Sequence, residues 1–124
     1  MTVKDFNEMQ KPSSCDVVAK DTDLIFEIGG YVFLIQRTND FNNVIMFYKQ
    51  KPTVSVIKAL GAFREYCILH DVIYLRLEMS KERKLYKVFR YWQKHNNDTS
   101  DLNIVFSWDE SLNNAAYVFY VRLI

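Results

Sequence analysis

The sequence predicts an α+β domain built on a mixed sheet, and three observations carry the prediction. Residues 24–37 read LIFEI-GG-YVFLIQR, two apolar strand patterns joined by a two-glycine turn. Apolar residues recur at helical spacing in two later windows, 53–69 and 81–95. The segments between and after those windows are short and rich in β-branched and aromatic residues, as strands are. The expected order is β-β-β-α-β-α-β-β, an N-terminal antiparallel meander that runs into β-α-β-α-β-β.

A chain of 124 residues suits one domain. With 49% hydrophobic and 15% aromatic residues it can bury a real core. The net charge of +1 gives no overall steering toward nucleic acid or membrane. No apolar run is long enough to span a bilayer, and no N-terminal apolar segment reads as a signal peptide. Cys15 and Cys67 form no C-x-x-C pair and sit in no ligand cluster, so they read as structural thiols of a reduced cytoplasmic protein. No cofactor or metal is implied by composition. Few Gly, Pro and Ala, with many Asn, Lys, Ile, Tyr and Phe, match the bias of AT-rich genomes, phage and other viral genomes among them.

Residues 1–23 form a polar N-terminal extension with anchors at Val3, Phe6, Met9, Val17 and Val18, and a short helix is expected at about 3–10. The single domain follows, over 24–124. Its strands are 24–28 and 31–37 around Gly29-Gly30, then 44–48 after the polar turn 38–43. The first helix, 53–69, follows Pro52 with Thr53 or Ser55 as N-cap. Val56, Leu60, Phe63 and Cys67 share its buried face. Gly61 on that helix suggests a close approach to the sheet. His70-Asp71 ends it, with His70 at a helix C-terminus that favours its cation. A strand over 72–79 leads to Ser80, which caps a helix over 81–95 with Leu85, Val88, Phe89 and Trp92 inward. A loop at 96–101, a strand at 102–108, a turn at 109–114 and a strand at 115–124 complete the domain. The last of these, apolar and aromatic, must be paired, covered or used in an interface.

This order resembles the carboxyl-terminal two thirds of the GNAT N-acetyltransferase family, over residues 24–124. In that family the loop opening the first of these helices, Q/R-x-x-G-x-G/A, holds the pyrophosphate of acetyl-coenzyme A. Bare backbone N–H groups and a helix N-terminus do the binding. The matching window is Gln50-Lys51-Pro52-Thr53-Val54-Ser55. The Gln is kept. Both glycines are replaced, by Thr53 and Ser55, and Pro52 removes an N–H donor. The resemblance makes Gln50, Thr53 and Ser55 the cofactor-binding candidates. Tyr86, near the place of the family's general-acid tyrosine, is the catalytic candidate. The Asn and small-residue pattern that precedes that tyrosine in the family is missing. About 23 residues stand where the family's substrate-binding helices belong.

Other constellations carry less. The window 81–95 holds six Lys or Arg and one acid, and Lys84, Lys87, Arg90 and Lys94 form a basic stripe suited to an anion or an acidic partner. Glu78, and Asp109-Glu110 in the last turn, are the remaining acids of interest, and turn acids are usually solvated.

Three functions follow. The first is a GNAT-like structural or interaction protein without catalysis, in a protein complex or homo-oligomer, in the setting of a phage or virion and its host cytoplasm. The second is an acetyl-coenzyme A-dependent N-acetyltransferase using Gln50 to Ser55 and Tyr86. The third is a phosphate- or nucleic-acid-binding module using the basic stripe.

Overall fold

The computed structural model describes residues 1–12, 16–80, 87, 106–112 and 116–123. In chain order the elements are α1 (Val3–Glu8), β1 (Leu24–Ile28), β2 (Tyr31–Gln36), β3 (Asn42–Tyr48), α2 (Val56–Leu69), β4 (Tyr74–Ser80), β5 (Phe106–Leu112) and β6 (Ala116–Leu123). Among the described residues the strands form one mixed sheet in the order β1-β2-β3-β4-β6-β5. The α+β class and the mixed sheet expected from the sequence are therefore present.

The meander is antiparallel, with Ile28 opposite Tyr31 and Gln36 opposite Asn43. Gly29 and Gly30 take φ of +53° and +93°, backbone that glycine enters without a Cβ penalty. β3 and β4 are parallel, as strands joined by a crossover helix can be. β6 pairs antiparallel with both β4 and β5.

Strand alternation sends the two faces to different partners. Tyr31, Phe33 and Ile35, with Val44, Leu75, Leu77, Phe119, Val121 and Leu123, turn toward α2. That helix answers with Leu60, Phe63 and Cys67, three of the four residues of the expected face, joined by Ala59, while Val56 is only partly buried against the same core. Phe33 and Phe63 stack at 4.3 Å between centroids with an interplanar angle of 11°. On the other face Val32, Leu34 and Phe47 are covered by the N-terminal segment through Phe6 and Ala19. Thr2 and Asp5 close a capping box on α1. The Asn7 amide donates to the Ala19 carbonyl at 3.1 Å and accepts from the Ala19 N–H at 2.8 Å, so one side chain pairs with the extended segment as a strand would. Asp23, 7% exposed, then accepts from the N–H groups of Lys20 and Arg37 and ties the segment to the end of β2.

Several boundaries move. α2 begins at Val56 because Ser55 is the N-cap: its hydroxyl accepts from the Lys58 N–H at 3.2 Å. Asp109 and Glu110 are not turn residues; they lie in β5, opposite Tyr120 and Phe119. The long apolar β6 needs a partner along its length, and β5 continues through the two acids to supply one. The beginning of the expected strand, 102–105, lies outside the described residues, as does the expected helix 81–95 apart from Lys87, which is helical and exposed.

Gly61 does not mark a close helix–sheet approach. A Cβ built there meets nothing within 4 Å. Its cost to the helix therefore has no packing compensation. Gly61→Ala should raise stability by about 0.5–1 kcal/mol, read as an upward shift of the urea midpoint at unchanged slope.

Candidate functional site

The segment between β3 and α2 is where the resemblance places a phosphate cradle, and two of its backbone N–H groups are already engaged. The Lys49 N–H donates to the Gly30 carbonyl at 2.8 Å, and the Thr53 N–H donates to the Gly29 carbonyl at 2.9 Å. Pro52 has no N–H to offer. The Ser55 hydroxyl is committed to capping α2. Lys49 reaches Glu27 on β1 at 3.5 Å, so the cation just ahead of the loop is also paired, though weakly at this exposure.

Side chains close the same contact. A Cβ on Gly29 would stand 2.4 Å from a Val54 methyl. A Cβ on Gly30 would stand 3.0 Å from the Gln50 carbonyl oxygen and 3.2 Å from that of Lys51. The two hairpin glycines thus serve two purposes: they turn the chain, and they leave room for the 50–54 segment to lie on the turn. Gln50, Thr53 and Ser55 are all exposed, but they flank a closed loop. Tyr86 lies outside the described residues. So do Lys84, Arg90 and Lys94, and Lys87 alone of the basic stripe is described.

Beside this loop the sheet opens. β3 and β4 pair only at Asn42–Leu75, Asn43–Arg76 and Val44–Leu77. β3 then runs on to Tyr48 and β4 to Ser80 without pairing each other. Asn42, 9% exposed, fixes the paired end: its amide donates to the Tyr74 carbonyl at 2.9 Å and accepts from the Thr38 N–H at 3.3 Å.

On the face away from α2, an open groove of about 590 Å³ is lined by Thr38, Asp40, Phe41, Asn43, Arg76 and Tyr120. A smaller one of about 220 Å³ adjoins it and shares Asn43 and Arg76. Arg76 donates to Glu78 at 3.0 Å. Partial burial works against its charge, but the hydrogen bond to the Tyr120 hydroxyl and the Glu78 carboxylate outweigh that and raise the guanidinium above its ordinary value. The sequence reading missed this groove. Its signal was present as Tyr74-x-Arg76 and Tyr120-x-Arg122, alternating aromatic and cationic residues on what are now neighbouring strands.

Cys67 is free, buried on α2, and burial pushes its thiol up to about 12. It is a core residue, not a nucleophile. At pH 8 Cys67 should resist iodoacetamide in the native protein and react only after denaturation, as peptide mapping would read. Among the described residues no three His, Cys, Asp or Glu side chains converge as a metal site, and no helix is long and apolar enough to cross a membrane.

No family model matches the sequence, and no curated protein or solved structure matches it either.

Proposed function

We propose that the chain is a GNAT-like protein that does not catalyse acetyl transfer and acts through macromolecular contacts. The observation that carries this reading is the loop ahead of α2. Its Lys49 and Thr53 N–H groups are bonded to the β1–β2 turn, and its capping hydroxyl is bonded to α2. An anion that called on the Lys49 or Thr53 N–H would have to displace a protein hydrogen bond first. The GNAT-like part of the reading is supported by the strand order and by the parallel β3–β4 pair that separates after three residues. A phage or virion setting belongs to the same proposal and rests on the compositional bias alone.

One observation favours a second reading, an acetyl-coenzyme A-dependent N-acetyltransferase. The separation of β3 from β4 leaves a wedge beside Gln50 that a slender cofactor arm could enter. Titration calorimetry with acetyl-coenzyme A separates the two. The non-catalytic reading expects no saturable heat up to about 1 mM ligand, the weak end of specific binding. Saturable binding that Gln50→Ala abolishes would overturn it in favour of the enzyme.

A further inference from the structure

Among the described residues, the sheet face opposite α2 is covered by the N-terminal segment over β1–β3. Beyond that cover, β4 and β6 present a two-by-two lattice. Tyr74 stands opposite Arg122, and Arg76 opposite Tyr120. Side chains at these positions share one face, since each is two residues from the next along its strand. Tyr74 is 45% exposed and Arg122 is exposed as well. Phe41, from the β2–β3 connection, enters between the two tyrosines. Its ring meets Tyr74 at 5.5 Å and Tyr120 at 5.0 Å, edge to face in both cases. Three rings and two guanidinium groups therefore gather at one end of an open sheet face, beside a groove of about 590 Å³.

We propose that this face binds single-stranded nucleic acid, with Tyr74 and Tyr120 as stacking surfaces for unpaired bases and Arg122 and Arg76 as contacts to the sugar–phosphate backbone. Every base offers a π face, and rings on an exposed sheet flanked by arginines are the chemistry that recognises it. Charge complementarity favours this partner at the Tyr74 end. Arg122 makes no ion pair among the described residues, and the Arg76 guanidinium, which bonds the Tyr120 hydroxyl and the Asn43 side chain, has an exposed ion pair with Glu78 that a phosphate can replace at small cost. Asp40 lines the same groove, and its charge disfavours a phosphate there relative to the Arg122 side. The inference does not rest on the state of the loop ahead of α2, which packs on the β1–β2 turn. Failure to bind acetyl-coenzyme A leaves it intact.

Fluorescence anisotropy with labelled oligo-U and oligo-dT of about 12 nucleotides, within the span of known single-strand sites, tests it on the full chain. Micromolar binding is expected, falling with added salt. Tyr74→Ala should weaken it about tenfold or more. Arg122→Ala should reduce the slope of log affinity against log salt by about one. Both positions are exposed, so circular dichroism should show the variants folded, and Tyr74→Phe should retain binding because the ring is kept. No binding at about 100 µM protein would overturn the proposal. So would equal affinity for the mononucleotide UMP, which would mean a nucleotide pocket and not a strand platform. Binding lost in Lys84→Ala/Lys87→Ala but kept in Tyr74→Ala and Arg122→Ala would overturn it by placing the strand on the basic stripe.

Discussion

Phe63→Ala should cost about 3–5 kcal/mol of folding stability, the largest loss expected from a single truncation in this core. Phe63 is 1% exposed at the centre of α2 and stacks on Phe33, which is itself fully buried. Phe26 approaches the same ring at 6.4 Å. Removing it leaves a cavity between a helix and a sheet whose other contacts hold them in place, so the site cannot collapse around the gap. A domain of this size has a total stability of about 5–15 kcal/mol, so the variant should lose about a fifth of it or more. The melting temperature should fall by roughly 10–20 °C. Leu69→Ala on the same helix is the comparison. Leu69 is 79% exposed, and its truncation should change stability by no more than about 0.5 kcal/mol. Similar losses from both would mean that α2 does not pack on the sheet through the Phe63 face.

Gly29→Ala should cost about 2–3 kcal/mol in the native background and only about 1 kcal/mol when Val54 is also alanine. The two costs separate two causes. A residue with a Cβ at φ +53° bears a strain of roughly 1–2 kcal/mol wherever it sits. In the native background the new methyl also meets Val54 at 2.4 Å, and a β-branched side chain has little rotamer freedom with which to retreat. Val54→Ala removes the second cause and leaves the first. Urea unfolding of the four proteins of the cycle gives a coupling of about 1 kcal/mol if the loop lies on the turn. A coupling near zero would mean that loop and turn are independent.

Much of this architecture is legible in the residues. The glycine pair with apolar runs on both sides specifies the hairpin, and Val56, Leu60, Phe63 and Cys67 specify the inner face of α2. Both signals are local and periodic. What the sequence leaves hidden depends on register between distant segments. Asp109 and Glu110 look like turn residues because acids are rare in strands, yet the pairing demand of β6 carries β5 through them. Gly61 looks like a contact residue by type, and only the surrounding space shows that nothing approaches it. The closure of the 50–54 segment on Gly29-Gly30 joins parts of the chain that no local pattern connects. The same is true of the Tyr74, Arg76, Tyr120 and Arg122 lattice, which exists only once β4 and β6 are known to be neighbours. At the candidate cofactor site, sequence did indicate that the glycines the resemblance calls for are absent. It could not indicate that the hairpin turn takes up two of the N–H groups that remain.

The central claim is that the loop ahead of α2 is closed by its own hydrogen bonds. Amide hydrogen exchange read residue by residue by NMR tests it most directly. The account predicts that the Thr53 and Lys49 amides exchange slowly, with protection comparable to the β1–β2 hairpin whose carbonyls they bond. Exchange of both amides at the rate of an unprotected exposed peptide would contradict it. The donors would then be free, and an anion could bind there.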